Sequence, residues 1–402
     1  MTGLSASRRV EDVISDLKAS ADRALARGDP KSAASLFQRG VSIAEGRADL
    51  WIGLAASRRA LGDPAGSLDA VQGALAAEPR FIPALLMKGS LLEAMGREKE
   101  AAAAYGIALG LAPPDAEMGD AAGKAMAHAR QVHDRYTADM ATRLRAGAGR
   151  MEAAATAVET GRLETFIDAV AGRRKIYHQE PVRYHYPGLP AIEFHDRAEF
   201  PWLEALESRT DAIRREVLSV WGGEGPEITP YINFPPGAPV DQWVDLNRSL
   251  NWSAFHLLLD GEPVEDNAAR CPETMAALAL IDQPRIRGRS PSAMFSILKA
   301  HTRIPPHTGV ANTRLVLHLP LVVPEGCRFR VGGETRAWRE GEAWVFDDTI
   351  EHEAWNDSDQ PRAILICDVW SPRLSAAERE GVTRVIDALD RFTGAVPPGD
   401  GL

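Results

Sequence analysis

Two histidines pose the first chemical question of this sequence. His307 stands in "PPHTGVANTR" and His352 in "TIEHEAWND", 45 residues apart, so only folding could bring them together. Neutral imidazole is the commonest protein ligand for first-row transition metals, and a fold that joined the pair could hold one. Ten residues beyond His352, Arg362 opens the apolar run "RAILICDVW". Strand alternation puts it on one face with Ile364 and Ile366. A buried arginine is costly without an anionic partner, and no carboxylate lies beside it, so a bound organic anion is the expected partner. The run "HTGVANTRLVLHLPLVV" adds two polar groups. Arg314, Val316 and His318 fall on one side of a strand, and Leu315, Leu317 and Leu319 on the other. A half-buried strand normally turns its polar residues toward water. Here the flanks are apolar enough for both faces to be covered, which turns Arg314 and His318 inward.

These residues need a β-scaffold, and the second half of the chain supplies its signals. Near residue 180 the composition shifts toward Pro, Tyr, Trp and Phe, as in "PVRYHYPGLPAIEF" and "EFPWLEAL". Short apolar runs follow, among them "WSAFHLLLDG", "AMFSILKA", "CRFRVGG" and "EAWVFDD", with Gly261, Gly332–Gly333 and Gly341 where hairpin turns would sit. Several short strands at this spacing predict a jelly-roll type β-fold over residues 179–402, with some helices on its N-terminal side.

The first third is helical and repetitive. "RGDPKSAASLF", "LGDPAGSLDAV" and "MGREKEAAAAY" place Gly28, Gly62 and Gly96 34 residues apart. Phe37, Val71 and Tyr105 recur in register, as do Ala74 with Ala108 and Pro79 with Pro113. This pattern resembles the tetratricopeptide repeat, a stack of helical hairpins, over residues 1–113. Its function would be either a surface for a peptide or protein, or a packing element. Residues 114–178 keep apolar residues at helical spacing and are expected to form bridging helices. The fold class is thus α + β multidomain: a helical solenoid followed by a β-domain.

Composition narrows the partners. With 46 Lys and Arg against 56 Asp and Glu, the formal net charge is −10, which argues against a general nucleic-acid or anionic-membrane partner. Three cysteines without a CxxC argue against a zinc cluster or a disulfide framework. No apolar run reaches the length of a membrane span and the N-terminus lacks a signal-peptide core, so a cytoplasmic location is the default expectation.

The stretch 296–372, from "SILKAHTRIPPHTG" through "GEAWVFDDTIEHEAW" to "RAILICDVWSP", resembles the aspartyl/asparaginyl β-hydroxylase family, as do "YPGLP", "FPWLEALE" and "RCPETM" upstream. The resemblance implies a double-stranded β-helix and an Fe(II)- and 2-oxoglutarate-dependent dioxygenase. In that chemistry O2 and the keto-diacid are consumed, succinate and carbon dioxide form, and an unactivated carbon is hydroxylated. It implies that His307 and His352 are the iron ligands. It implies that Arg362, assisted by Ser296, holds the distal carboxylate of 2-oxoglutarate, and that His318 contacts the carboxylate that chelates iron. The carboxylate that many such oxygenases add to two histidines is missing in this family, and its place here is Gly309. A second arginine often precedes the family's counterpart of His318 by two residues. This chain has Val316, which leaves Arg314, on the same face, as the candidate cofactor contact. Asp347 and Asp348 read as turn caps or supporting residues. The substrate class implied is an Asp or Asn residue of a peptide or protein, contacted in part by the repeats. Relatives that hydroxylate lipid acyl chains leave a non-peptide substrate open, and a binding scaffold with a weak oxygenase domain is the alternative of a different kind.

Overall fold

The computed structural model describes residues 2–112, 119–149, 156–221 and 228–394. The chain divides into two compact units, Met1–Arg174 and Lys175–Leu402.

In the first unit, α1 (Thr2–Ala26) pairs with α2 (Pro30–Ile43), α3 (Ala48–Ala60) with α4 (Pro64–Ala77), and α5 (Ile82–Ala94) with α6 (Glu98–Leu111). The 34-residue spacing reflects one repeated turn. Gly28, Gly62 and Gly96 adopt φ of +76°, +74° and +72°, the left-handed geometry that stops a helix and that glycine adopts freely. In the first two turns the next residue, Asp29 or Asp63, caps the following helix through its carboxylate, and Pro30 or Pro64 starts it. Phe37, Leu50, Leu54, Val71, Leu92 and Tyr105 share one buried cluster. Small residues let the helices close on the aromatics: a Cβ at Gly53 would lie 2.2 Å from the Phe37 ring, and one at Gly89 2.3 Å from the Tyr105 ring. Two further helices, α7 (Asp120–Ala148) and α8 (Ala157–Val170), belong to the same unit, and Arg145 ties them together through Glu164 and Asp168 at 2.6 and 2.9 Å. Pro113, the last position of the repeat pattern, and residues 114–118 and 150–155 of the expected bridging stretch lie outside the described residues.

The second unit is built on two antiparallel sheets. The larger runs in the order β1 (Thr229–Pro230), β2 (Trp252–Leu259), β4 (Ala293–Leu298), β11 (Arg362–Trp370), β6 (Arg314–Val322), β9 (Trp344–Phe346), with β3 (Glu262–Pro263) paired to β2. The smaller runs β5 (Thr302–His307), β10 (His352–Asn356), β7 (Cys327–Val331), β8 (Glu334–Ala337). Helices α9 (Leu203–Glu207), α10 (Thr210–Trp221), α11 (Glu265–Arg270), α12 (Pro272–Leu278) and α13 (Ala376–Thr393) complete the unit.

The expected two-sided burial of β6 has a direct cause. Leu315, Leu317 and Leu319 pack with Leu203, Leu206, Ile213 and Val217 of α9 and α10, whereas Val316 joins a second cluster with Met294, Phe329, Phe346, Ile364 and Ile366. The large sheet is therefore sandwiched between helices and the smaller sheet, and its inner face can carry polar groups shielded from water. Each fully buried Leu on the helix side contributes about 1.5–3 kcal/mol, enough to hold the inner face in register despite its polar residues. Among the described residues, no helix is long and apolar enough to cross a membrane.

Candidate active site

The two histidines meet because β5 and β10 pair. In that antiparallel register His307 and His352 are direct cross-strand partners, and their ring centroids lie 4.0 Å apart. The Nδ1 of His307 lies 2.8 Å from the Pro305 carbonyl, and that of His352 3.1 Å from the Ile350 carbonyl. A carbonyl only accepts, so each Nδ1 is the protonated nitrogen and each Nε2 keeps its lone pair. Burial, and then the neighbouring His352, pulls the His307 pKa down to about 3, and burial pulls His352 down to about 4. Both rings are thus neutral at neutral pH, the form that ligates metal. The rings of Trp243 and Trp252 pack beside His307, and those of Phe329 and Phe346 beside His352.

A cavity opens on this pair, and Ser296, His318 and Arg362 line it together with His307 and His352. Arg362 is 1% exposed, and its Nε and NH1 have no acceptor among the described residues. Its guanidinium carbon lies 4.8 Å from the Trp338 ring centroid. Burial pulls its pKa down to about 10, still far above neutrality, so the site carries a desolvated cation. His318 sits between Phe346 and Phe329 at centroid distances of 4.7 and 4.9 Å, with Nδ1 buried and unpaired. Burial first, then Arg362, drives its pKa well below the usual value. Ser296 accepts a hydrogen bond from Trp252 Nε1 at 3.1 Å, which leaves its own proton to donate elsewhere.

Arg314 is not brought to this cavity. Its NH1 donates to Asp348 Oδ2 at 3.0 Å and lies 3.4 Å from Asp368 Oδ1, and the residue lines a neighbouring cavity with Asp368. Burial alone would lower its pKa, but Asp348 and Asp368 more than offset that and raise it. Two carboxylates already hold this guanidinium, which explains why its inward alternation does not make it a contact for a bound anion. Val316, two residues before His318, is an apolar wall of the first cavity.

The adjacent acids divide their work. Asp347 caps its own turn, accepting from Thr349 N at 3.0 Å and Thr349 Oγ1 at 2.6 Å, as its type suggests. Asp348 turns into the cavity beside the imidazole pair, with Oδ1 buried and unpaired. A Cβ on Gly309 would fall 1.9 Å from Asp348 Oδ2, so the carboxylate fills the space a side chain at 309 would occupy. The sequence offered no signal for this beyond two adjacent acids ahead of a turn. Gly309→Ala is accordingly expected to push Asp348 off Arg314 and to lower stability by about 1–3 kcal/mol, read by chemical denaturation; an unchanged midpoint would show that the carboxylate shifts without cost. Among the described residues no three His, Cys, Asp or Glu side chains gather as a metal site, so the imidazole pair offers two protein ligands.

The same residues fall in a segment that resembles known proteins. Residues 207–372 match the family model of Aspartyl/Asparaginyl beta-hydroxylase. The aspartyl/asparaginyl beta-hydroxylase of Homo sapiens is 38% identical over 207 residues, half of this chain but 26% of its own length. That of Mus musculus is 38% identical over 186 residues, 46% of this chain and 25% of its own length. The ornithine lipid ester-linked acyl 2-hydroxylase of Rhizobium tropici is 34% identical over 199 residues, 49% of this chain and 66% of its own length. The aligned segment therefore spans about a quarter of the mammalian relatives and about two thirds of the rhizobial one. Among solved structures, the Sgt2 TPR domain of Aspergillus fumigatus aligns with 36% of this chain and 92% of its own, at 23% identity and a TM-score of 0.28. Residues 207–372, which bring the facing imidazoles and the buried guanidinium into one cavity, are thus the part of the second unit that is similar to the aspartyl/asparaginyl beta-hydroxylase family.

Proposed function

We propose that the second unit is an Fe(II)- and 2-oxoglutarate-dependent dioxygenase that hydroxylates the β-carbon of an Asp or Asn residue in a peptide or protein. One observation carries this reading: two neutral, carbonyl-tethered imidazoles share a cavity with a buried guanidinium whose Nε and NH1 have no acceptor among the described residues. Lone protein charges are rarely buried unpaired, so the cavity suits an anionic ligand. Iron(II), when bound, would supply the activation of O2 that side chains cannot.

The chain's own residues would do the rest. His307 and His352 present Nε2 as ligands, and their Nδ1 tethers fix the ring orientations before metal arrives. Arg362 offers Nε and NH1 to the distal carboxylate of 2-oxoglutarate, with Ser296 Oγ–H beside it. His318, neutral and unpaired at Nδ1, can serve the keto-acid end. Asp348 Oδ1 can accept a hydrogen bond from water in the cavity, while Arg314 holds Asp348 in place. Trp252, Phe329 and Phe346 wall the site with apolar surface that excludes bulk water. Stacked helical hairpins commonly offer an extended concave surface, which makes the first unit the proposed contact for a peptide partner.

The rhizobial relative's name favours a second reading, hydroxylation of a lipid acyl chain. One assay separates the two. Purified full-length protein is incubated with Fe(II), 2-oxoglutarate and either Asp- and Asn-containing peptides or acylated amino lipids, and succinate and product mass are measured. Peptide-dependent succinate with one added oxygen on Asp or Asn supports the first reading. Turnover on the lipid alone moves the assignment to the second. Turnover on neither, in protein that binds no iron, would leave a binding scaffold.

A further inference from the structure

The cavity holds a buried donor beyond those already given a task. Trp338 lies in the connection between β8 and β9, lines the cavity at 5% exposure, and has its indole Nε1 buried without an acceptor. Trp344 also has an unpaired Nε1, but Trp344 does not line this cavity. The Trp338 ring is fixed on two sides. The Arg362 guanidinium carbon sits 4.8 Å from its centroid, and the Phe329 ring stacks on it at 5.4 Å and 30°. A ring held this way cannot turn its N–H toward solvent, and a buried N–H without a partner is unfavourable.

The donors match one acceptor. A carboxylate has about four lone-pair sites. Arg362 brings Nε and NH1, Ser296 brings the hydroxyl proton that its bond from Trp252 leaves available, and Trp338 brings Nε1. Among the described residues, Arg362 Nε and NH1 and Trp338 Nε1 have no acceptor.

We propose that Trp338 is a positioning residue for the cosubstrate: its indole N–H donates to the distal carboxylate of the keto-diacid, and its ring holds the Arg362 guanidinium in place for the same carboxylate. This role rests on the keto-diacid reading above and extends it to a residue in a connecting loop. It also gives the site a means of choosing diacids over keto monoacids, because a monoacid leaves the indole N–H and the guanidinium unpaired.

The test uses two probes on the full-length, metal-free protein. Glutarate, which carries both carboxylates but no keto group, is titrated calorimetrically. Mn(II) is titrated separately, as a probe of the imidazole pair. Trp338→Phe keeps a ring over the guanidinium but loses the N–H. It is expected to weaken glutarate about tenfold or more, with Mn(II) affinity unchanged. In turnover it should raise the KM for 2-oxoglutarate and leave kcat nearly unchanged. Trp338→His, a ring that keeps an N–H, is expected to recover part of the lost affinity. Equal glutarate affinity in wild type and Trp338→Phe would overturn the role of Trp338 and leave the keto-diacid reading intact. Loss of Mn(II) binding in Trp338→Phe would show a structural role and overturn it equally. No glutarate binding by wild type, or equal binding by Arg362→Met, would overturn both.

Discussion

Replacing Arg362 with methionine is expected to weaken 2-oxoglutarate binding severely while leaving the ligand-free protein as stable as before, or more so. The two effects have opposite signs because they come from different terms. In the free protein the guanidinium is 1% exposed and lacks an acceptor at Nε and NH1, so the fold carries the cost of a desolvated charge. Methionine has a similar length, packs against the Trp338 ring and removes that cost. With ligand bound, the same guanidinium would make charge-assisted contacts whose loss is worth about 2–5 kcal/mol, roughly 30-fold to several thousand-fold in affinity. Thermal denaturation with and without 2-oxoglutarate measures both quantities. An Arg362→Met protein that is strongly destabilised when ligand-free, yet keeps its 2-oxoglutarate response, would mean that the arginine is structural.

His352→Ala is expected to cost at least about 100-fold in metal affinity and to abolish succinate formation. Changes in the groups that merely orient a metal-bound histidine cost 10–100-fold, so losing one of two protein ligands should exceed that. The ligand-free fold should tolerate the change. Both rings are neutral, the hydrogen bond that His352 gives up goes to a backbone carbonyl, and its removal relieves the close packing of two rings whose centroids lie 4.0 Å apart. The diagnostic quantity is metal-induced stabilisation, about 2.7 kcal/mol in wild type at a metal concentration 100 times the dissociation constant. It should vanish in His352→Ala and in His307→Ala, while the metal-free midpoints stay close to wild type. If the alanine variants retain the metal response, the pair is not the ligand set.

Much of this was legible in the sequence, and the reasons are physical. The turn glycines at 28, 62 and 96 announced their left-handed geometry because few other residues adopt it readily, and "GDP" added a helix stop, a cap and a start in three letters. The double-sided burial of β6 was visible in its leucines, because alternation has a fixed period of two. Other features were hidden by rules that tertiary context overrode. Strand β5, which carries His307, was not visible as a strand, since "TRIPPH" contains two prolines that cannot donate to a ladder. It survives because it is the edge of the smaller sheet and needs one partner.

Alternation could say that Arg314 faces inward but not which inward groups it would meet. The two carboxylates that hold it come from distant segments, Asp348 and Asp368. Asp348 itself was legible only as half of a pair of acids. Its place in the cavity depends on Gly309 having no side chain, a contact between residues 39 apart that no local pattern records. Trp338 carried no signal, because a tryptophan in a connecting loop is as ordinary as one in a core.

The most direct measurement is an anaerobic titration of 2-oxoglutarate into the Fe(II)-loaded protein, followed by the visible charge-transfer absorption that arises when a keto acid chelates ferrous iron. The geometry predicts a band that saturates at one equivalent, disappears in His307→Ala and His352→Ala, and requires far more 2-oxoglutarate in Arg362→Met. Folded wild-type protein that takes up iron yet develops no band, or develops it equally well in all three variants, would contradict the assignment of these residues.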